Sequence, residues 1–520
     1  MMEPGHAAPQ QLSIGQLLFS PAQYDPRQEI VYRDRRLTYA DLRERVQRLA
    51  GALTALGVGQ GDCVAVLDWD SHRYLECFFG VPMLGAVLQT VNIRLSPAQI
   101  RYTLEQTRPR VLLVHPDFGG VLDEVGALDF VPVIVPMPDE DSADACAYEN
   151  RLAAAAPVFA FPTFPEETTA TTFHTTGTTG LPKQVYFSHR QIVLHTLSLI
   201  ATYATQPGHG RFDRSDVYMP VTPMFHVHAW GIPFMATALG VKQVYPGRYE
   251  AARLLALQRR EGVTFSHCVP TILKMMLDDP SGGELTGWKI VVGGAVLTRS
   301  LAAEAQARGI DIFCGYGMSE TCPLLLISHL DPAALGDDDA LDVRVMAGRQ
   351  AILTDVRIVD EAMQDVAIGE RGELVARAPW LTRGYRGNEA ASAELWRGGY
   401  LHTGDIATRN AGGYVRIVDR LKDVIKSGGE WISSVEVEDL LSRHPAVAEC
   451  AVIGVPDPKW GERPLALVVA RTGVACDPAA LGAFLGGFVD QGRLPRYAVP
   501  DRFEVVAALD RTSVGKIDKK

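Results

Sequence analysis

Apolar segments of strand length alternate with amphipathic segments of helix length through much of this chain. Thr38 is a candidate N-cap for a helix that ends near residue 56, and Cys63–Leu67 reads as a buried strand. Ser96 followed by Pro97 predicts the start of another helix. The alternation returns where strand-like residues 263–268, 289–292 and 312–314 are separated by helical stretches. Parallel strands need a crossover, usually a helix, so the pattern predicts an α/β fold with parallel-rich sheets and covering helices.

The chain has 520 residues, more than a single hydrophobic core usually serves, so two or three domains are expected. Around residues 419–430 the sequence becomes charged and then glycine-containing, which suits a boundary between rigid units. We therefore expect a large N-terminal domain over residues 1–419 and a small, mobile C-terminal α+β lid domain over residues 420–520. Ser433 and Glu436 have the spacing of a capping box and predict a helix start within the second domain.

Composition and charge argue against several classes of protein. Hydrophobic residues make up 47% of the chain and charged residues 21%, and no apolar run approaches the roughly 18 residues of a membrane span. We therefore expect no stable membrane insertion. A formal net charge of −11 argues against nucleic acid as a partner, because phosphate-backbone binding needs a basic face.

The N-terminal residues lack the basic start and apolar core of a secretory signal, so a cytoplasmic location is expected. The eight cysteines are scattered without a C-x-x-C pair, which favours reduced, buried thiols over disulfides or zinc ligands. The sequence leaves the oligomeric state open, with a homodimer among the alternatives.

A run rich in threonine and glycine follows the strand-like residues 169–173. It comprises Thr175, Thr176, Gly177, Thr178, Thr179, Gly180, Leu181, Pro182 and Lys183. Glycines let backbone N–H groups turn toward an anion and the lysine adds a positive charge, so the run predicts a polyphosphate site with ATP as the expected ligand. The spacing is neither that of the P-loop nor that of the dinucleotide-binding pattern, and taken alone the run is about as typical of an ordinary turn.

Five further segments follow this loop in a fixed order. They are residues 224–230 (Met-Phe-His-Val-His-Ala-Trp), 315–321 (Gly-Tyr-Gly-Met-Ser-Glu-Thr), 400–405 (Tyr-Leu-His-Thr-Gly-Asp), 419–430 with its Lys-Ser-Gly-Gly-Glu end, and 511–516 (Arg-Thr-Ser-Val-Gly-Lys). Together with the loop they resemble the core motifs of the adenylate-forming, or AMP-binding, superfamily. That superfamily contains acyl-CoA synthetases, peptide-synthetase adenylation domains and beetle luciferases. Each segment alone has an ordinary structural reading, but six in this order identify the family, and the resemblance spans about residues 37–516.

The resemblance implies a two-step activation of a small-molecule carboxylic acid. The carboxylate attacks the α-phosphorus of ATP and gives an acyl-adenylate and pyrophosphate, after which the thiol of coenzyme A displaces AMP. The adenylate is needed because a carboxylate is a poor acyl donor, whereas AMP is a good leaving group. The implied cofactors are therefore ATP, Mg²⁺ and coenzyme A.

The resemblance also assigns residue roles. Lys516 offsets charge between carboxylate and phosphate in the first step, Glu320 holds Mg²⁺ together with Thr179, and Lys422 is the hinge about which the lid rotates. Rotation exchanges Lys516 for the lid face that begins at Lys426. Tyr316 stacks on adenine, Asp405 binds the ribose hydroxyls and Arg420 supports the same sugar. The remaining implied cofactor-binding residues are Gly294, Ala295, Gly315, Gly317 and Thr321 for the nucleotide and Gly428, Gly429 and Trp431 for coenzyme A.

The implied acid pocket is made of small or apolar residues together with one histidine. Its members are His226, Trp230, Val269, Gly293, Gly315 and Met318. His226 is expected to act as a gate or to orient the carboxylate. A third ligand near the pair His226 and His228 is lacking, so no zinc is assigned.

The motifs around Trp230 and Trp431 most resemble those of bacterial fatty-acyl-CoA synthetases, which implies a medium- to long-chain fatty acid. An aryl acid or a short sulfur-containing acid stays open, as does an enzyme that loads a separate carrier protein. Residues 225–233 contain no carboxylate that could pair with an amino acid's ammonium group, and free coenzyme A is the expected acceptor.

Two classes compete with this interpretation. An ATP-dependent phosphotransferase would release ADP, and a nucleotide-binding protein with a decayed site would release no pyrophosphate. One departure from the family pattern is Gln184, which stands where relatives usually have glycine and is expected to stiffen the loop or crowd the phosphates.

Overall fold

A computed structural model describes residues 10–139, 144, 147–175, 181–331, 339–428, 430–511 and 517–519 of the chain. Its strands are β1 Glu29–Tyr32, β2 Arg35–Thr38, β3 Cys63–Leu67, β4 Val87–Thr90, β5 Val111–Val114, β6 Val133–Pro136, β7 Thr169–His174, β8 Gln184–Ser188, β9 Val217–Pro220, β10 Lys242–Tyr245, β11 Phe265–Cys268, β12 Lys289–Val292, β13 Asp311–Gly317, β14 Leu324–Ile327, β15 Arg349–Gln350, β16 Asp355–Val359, β17 Gly372–Arg377, β18 Leu401–Arg409, β19 Val415–Arg420, β20 Ile425–Ser427, β21 Glu430–Ile432, β22 Val447–Asp457, β23 Gly461–Ala470 and β24 Arg502–Val506. Its helices are α1 Gly15–Tyr24, α2 Tyr39–Ala55, α3 His72–Met83, α4 Pro97–Thr107, α5 Gly119–Val125, α6 Tyr148–Ala154, α7 His189–Ala204, the single turn α8 Val227–Trp230, α9 Ile232–Leu239, α10 Ala251–Glu261, α11 Pro270–Asp278, α12 Arg299–Ala307, α13 Ala340–Arg344, α14 Glu389–Leu395, α15 Ser434–Leu441 and α16 Pro478–Asp490.

The chain divides into two compact units, and the first consists of residues 1–267, 319–323 and 378–392. One of its sheets has the strand order β6-β5-β3-β4-β7-β8, in which all neighbours are parallel except β7 and β8. In the other, β11, β9, β10 and β1 are parallel neighbours and β2 is antiparallel to β1. Strands β4 and β5 are buried along their whole length, as expected where helices cover both faces of a parallel sheet.

The second unit consists of residues 268–318, 324–377 and 393–520. Here β12 and β13 are parallel, β14 and β15 continue antiparallel, and β16 to β19 form a separate antiparallel sheet. The last sheet has the order β21-β20-β23-β22, with β24 parallel to β23. Helices α15 and α16 cover it through a core that includes Val437, Leu441, Val452 and Leu485. Together, the two units confirm the predicted α/β fold class.

Helix starts lie where the sequence predicts them. The Thr38 hydroxyl accepts a hydrogen bond from Asp41 N at 3.1 Å, while the Asp41 carboxylate accepts one from Thr38 N at 2.8 Å. These reciprocal bonds form the capping box of α2. Ser96 caps α4 in the same way, and the Ser433 hydroxyl accepts from Glu436 N at 3.0 Å to begin α15.

The sequence prediction missed the antiparallel sheet β16–β19 altogether and made β13 four residues too short. The expected boundary between residues 419 and 420 stays a prediction. Both sides of it belong to the second unit, and Ser434 N donates to the Asp419 carboxylate at 2.6 Å.

The seven described cysteines are free thiols, and five of them are buried; Cys146 lies outside the described residues. Among the helices of the described ranges, none is both long enough and apolar enough to cross a bilayer.

Buried histidines predict acid sensitivity of the fold. Burial lowers the pKa of His195, His228 and His267 to about 3 each, whereas an unfolded histidine titrates near pH 6.5. Between these values the unfolded chain binds more protons than the folded one. These three histidines therefore lower the free energy of unfolding as the pH falls below about 6.5.

We predict that the variant His228→Phe makes the free energy of unfolding less dependent on pH. Urea denaturation at pH 7.5, 6.5 and 5.5 should show the wild type losing up to about 1.4 kcal/mol more per pH unit than the variant over the acid step. Equal pH slopes of the two proteins would contradict the prediction.

Candidate active site

Thr175 and Lys183, at the two ends of the threonine- and glycine-rich run, are hydrogen-bonded to each other and form a neck between β7 and β8. Thr175 N donates to Lys183 O at 2.8 Å, and Lys183 N donates to the Thr175 hydroxyl at 3.2 Å. Thr175 is buried while the Lys183 side chain is exposed. The predicted phosphate-binding residues Thr176, Gly177, Thr178, Thr179 and Gly180 lie outside the described residues.

Gln184 is buried at the start of β8. Its side-chain amide donates to the Thr172 hydroxyl on β7 at 2.9 Å, and that hydroxyl donates to Val185 O at 2.7 Å. The glutamine that replaces the usual glycine is therefore accommodated as a side-chain link between the two strands, at the base of the hairpin.

Glu320 lies on a short 3-10 helix, Ser319–Thr321, and is 6% exposed. The Tyr385 hydroxyl donates to Glu320 Oε1 at 2.6 Å, and the ammonium group of Lys183 lies 4.7 Å from the centroid of the Tyr385 ring. Tyr385 thus connects the predicted metal ligand with the predicted phosphate ligand. Burial and the neighbouring Glu320 charge raise the pKa of Tyr385 well above its ordinary range, so its hydroxyl stays a donor.

The segment that carries Tyr385 is fixed on both sides by backbone bonds. Arg386 N donates to Gln184 O at 3.0 Å, and Thr382 N donates to Glu320 O at 2.9 Å. Gly384 has a φ of 149°, and a Cβ there would lie 2.6 Å from the Ser392 hydroxyl. Sequence reasoning missed Tyr385, although a tyrosine directly after a glycine in an otherwise unassigned segment was an available signal.

In the second unit, Tyr316 and Arg420 both contact the buried carboxylate of Asp405, although Tyr316 and Asp405 are 89 positions apart in sequence. The Tyr316 hydroxyl donates to Asp405 Oδ2 at 2.5 Å, and Arg420 Nε lies 3.3 Å from Asp405 Oδ1. Asp405 and Arg420 are cross-strand partners in the β18–β19 register. Burial and the Asp405 charge raise the pKa of Tyr316 well above its usual value. The three residues predicted to bind adenosine are therefore brought together.

The predicted glycines of the second unit serve different purposes. Gly294 has a φ of 76°, which favours glycine. A Cβ on Gly315 would lie 2.8 Å from Leu324 and 3.0 Å from Val291, so a side chain there would have to displace these neighbours. Gly317 is the last residue of β13. Of the two other residues predicted to bind the nucleotide, Ala295 is exposed, and Thr321, which belongs to the first unit, is fully buried.

The residues predicted to bind the acid are divided between the two units. His226 and Trp230 belong to the first, where the Trp230 ring lies 5.0 Å from that of His267. The others, Val269, Gly293, Gly315 and Met318, belong to the second.

The turn α8 has a backbone that sequence reasoning missed. Val227, His228, Ala229 and Trp230 have φ values of 49°, 55°, 49° and 61°, so four consecutive residues with side chains are left-handed. This conformation costs about 1–2 kcal/mol per residue, and it persists only where surrounding contacts impose it.

The predicted lid residues of the described range lie on β20, β21 and the turn before them. Asp423 N and Val424 N both donate to Arg420 O at 2.9 Å, which forms a turn around the exposed Lys422. The Lys426 ammonium lies 5.8 Å from the Trp431 ring centroid. Gly428 has a φ of 61°, and a Cβ there would lie 2.8 Å from the Trp460 ring. Gly429 and Lys516 lie outside the described residues.

Across the described ranges, no group of three or more histidine, cysteine, aspartate and glutamate side chains could hold a metal ion on its own. A cation at Glu320 would need further oxygen ligands from other groups, such as a bound nucleotide, water or the predicted ligand Thr179.

Comparison with known proteins identifies the family. Residues 19–386 match the AMP-binding enzyme family, and residues 436–516 match the AMP-binding enzyme C-terminal domain. The chain belongs to this family, which confirms the superfamily inferred from the motifs.

Relatives with assigned activities are similar over nearly the whole chain. A long-chain-fatty-acid–CoA ligase from Thermus thermophilus is 42% identical over 500 residues, covering 93% of this chain and 89% of the relative. A 3-methylmercaptopropionyl-CoA ligase from Ruegeria pomeroyi is 36% identical and covers 93% of this chain and 90% of its own length. The crystal structure of an anthranilate CoA ligase in complex with anthranoyl-AMP superposes with a TM-score of 0.86 at 25% identity, covering 98% of this chain and 96% of that one. The predicted enzyme class, an AMP-forming acyl-CoA synthetase with ATP and coenzyme A as substrates, is confirmed.

We predict that Tyr385→Phe lowers kcat/KM for MgATP by roughly 10-fold or more, because a hydrogen bond to a charged group is worth about 1.5–3 kcal/mol. The phenylalanine ring keeps the aromatic surface beside Lys183 and removes only the donor to Glu320. Pyrophosphate release at varied MgATP concentration measures the effect. Tyr186→Phe, on the neighbouring strand β8, is the matched control, and an equal loss in both variants would contradict a specific role of Tyr385.

Proposed function

We propose that this chain activates a medium- to long-chain fatty acid with ATP and transfers the acyl group to coenzyme A. The observation that carries the choice of acid is the long-chain-fatty-acid–CoA ligase that is 42% identical over 93% of this chain. The Tyr316–Asp405–Arg420 group and the Lys183–Tyr385–Glu320 group support the nucleotide chemistry, because each contains charged side chains of the kind that suits one part of ATP.

In the first step an oxygen of the fatty-acid carboxylate bonds to the α-phosphorus while the bond to the pyrophosphate oxygen breaks. Negative charge grows on the departing pyrophosphate and must be offset by fixed donors and cations. We assign this task to Lys183 and the loop residues 175–180. Tyr316 and Asp405 hold adenine and ribose, with Arg420 supporting the sugar.

Glu320 is the proposed protein ligand for Mg²⁺. Its carboxylate is 6% exposed and oriented by Tyr385, and a site with one carboxylate fits an ion that takes its other ligands from phosphates and water. Thr179, outside the described residues, is the second proposed contact. When bound, the ion would offset charge on the triphosphate.

Two lysines are proposed to serve the two half-reactions. Lys516 neutralises charge between carboxylate and α-phosphate during adenylation. After rotation about Lys422, the face with Lys426, Gly428, Gly429 and Trp431 admits the coenzyme A thiol, which attacks the acyl carbon as AMP leaves. The left-handed φ of Gly428 and its closeness to the Trp460 ring both favour glycine at this position.

His226 and Trp230 are the proposed contacts for the acid in the first unit, with Val269, Gly293, Gly315 and Met318 as proposed contacts in the second. A second candidate substrate is a short sulfur-containing acid, because the 36% identical relative is a 3-methylmercaptopropionyl-CoA ligase. An aryl acid and carrier-protein loading are further alternatives. A cytoplasmic location, the exclusion of nucleic acid and a homodimeric state stay predictions from the sequence.

We predict that pyrophosphate release is fastest with straight-chain fatty acids of medium to long chain length. The measurement is a screen of purified enzyme with MgATP against straight-chain, sulfur-containing, aromatic and amino acids, with and without coenzyme A. A preference for 3-methylmercaptopropionate or benzoates would replace the proposed substrate, and release of ADP in place of AMP would overturn the reaction itself.

We predict that Lys516→Ala abolishes adenylate formation and leaves thioester formation from supplied acyl-AMP largely intact, because each lid face serves one half-reaction. Lys519→Ala, at a nearby lysine paired with Glu438 at 2.7 Å, is a comparison for nonspecific effects on the C-terminal segment. The two half-reactions are measured separately, and equal loss of both in Lys516→Ala would refute the assignment.

A further inference from the structure

The residues that precede the left-handed turn α8 are held by buried groups of the first unit. Met224 N donates to Asp70 Oδ1 at 2.8 Å, and the Thr90 hydroxyl donates to Phe225 O at 2.9 Å. His226 N donates to Pro223 O at 2.9 Å, which closes a turn just before α8. Asp70 and Thr90 are 3% and 2% exposed, so water does not compete for these bonds.

Asp70 is bound on three sides. Its second carboxylate oxygen accepts a hydrogen bond from the Tyr249 hydroxyl, and its backbone carbonyl accepts one from Gly247 N at 2.8 Å. A single buried side chain therefore ties the residues after β3 to the residues that precede α8 and to those that follow β10. Removing it would leave Met224 N–H buried without an acceptor, which is costlier than the loss of an exposed bond.

The side chains of α8 fit their surroundings only if this backbone is kept. The His228 ring contacts Phe78, Phe173 and Phe234 with centroid distances of 5.6, 5.3 and 5.9 Å. Directly after the turn, a Cβ on Gly231 would lie 2.8 Å from the His195 ring. A shift of residues 224–226 would therefore disturb the packing of His228 and of Gly231.

We propose that Asp70 is a positioning residue for the acid site. It holds residues 224–230 in the shape that presents His226 and Trp230 to the substrate. The inference rests on the proposed function for those two residues. Asp70 touches neither ATP-binding group described above, so its effect should fall on the acid and not on the nucleotide.

The acceptor oxygen, not the negative charge, is what Met224 N–H requires. Burial raises the pKa of Asp70 to about 7, so a neutral carboxyl group is already present in part at neutral pH. An asparagine keeps the acceptor oxygen and can donate its amide to the Tyr249 oxygen. Asp70→Asn should therefore rescue what Asp70→Ala loses.

The test compares Asp70→Ala, Asp70→Asn and Tyr249→Phe with the wild type by steady-state pyrophosphate release. We expect Asp70→Ala to raise KM for the fatty acid at least roughly 10-fold with KM for ATP within about 2-fold of wild type. Asp70→Asn should stay within about 3-fold for both, and Tyr249→Phe, which leaves Met224 bonded, should have the smaller effect. A loss of kcat or of thermal stability in Asp70→Ala with unchanged acid KM would overturn the proposal, as would an Asp70→Asn variant as impaired as Asp70→Ala.

Hydrogen exchange measured by mass spectrometry separates this inference from the proposed function, because it needs no turnover. Peptides covering residues 223–231 should exchange faster in Asp70→Ala and at the wild-type rate in Asp70→Asn, with α2 as the internal reference. Equal exchange in Asp70→Ala and wild type would overturn the positioning role. Failure of the wild type to form AMP from any acid would instead overturn the proposed function.

Discussion

Buried parallel strands must pair their peptide groups within the sheet, and this requirement decides where reactive side chains can lie in the first unit. Side chains become available where a strand ends, and the carboxyl ends of parallel neighbours share one edge. Asp70 follows β3, Thr90 ends β4 and Thr175 follows β7, three parallel strands of one sheet. Met224 and Tyr249 follow the parallel strands β9 and β10 of the other. Strand direction thus brings Asp70, Thr90 and Thr175 to one edge of the first sheet, and Met224 and Tyr249 to the corresponding edge of the other.

The same arrangement recurs at three places, where a buried carboxylate accepts a hydrogen bond from a tyrosine hydroxyl. Tyr385 donates to Glu320, Tyr316 to Asp405 and Tyr249 to Asp70. Burial raises the pKa of each phenol, so all three remain donors through the physiological range. A phenol fixes the direction of a carboxylate without the positive charge that a lysine or arginine would bring. At Glu320 and Asp405 the orientation of the carboxylate is thus set before the proposed cation or ribose binds, while at Asp70 the acceptor oxygen alone is used.

Local signals in the sequence predicted much of the fold. Thr38 and Ser96 mark helix starts because capping needs only a few consecutive residues, and Cys63–Leu67 is recognisable because a strand buried on both faces is continuously apolar. The motifs also placed Tyr316, Asp405 and Arg420 in one site, and the three side chains lie together. The roles assigned to these and to all other site residues remain predictions.

Features that depend on distant contacts could not be read from the chain. Nothing in Val-His-Ala-Trp predicts a left-handed turn, because the conformation is imposed by Asp70, Thr90 and the aromatic side chains around His228. Tyr385 was missed because its importance comes from meeting Lys183 and Glu320, which are far away in sequence. The packing of Gly315 against Leu324 and Val291 likewise depends on residues that are distant in sequence, and its role in the acid pocket stays a prediction.

The neck formed by Thr175 and Lys183 closes the hairpin of β7 and β8 with two hydrogen bonds. One of these bonds joins two backbone groups, so substitutions among residues 176–180 leave it in place. The proposed phosphate-binding function is thus separated from the pairing of the two strands. Gln184 illustrates this separation, because its departure from the family pattern is absorbed by Thr172 inside the hairpin.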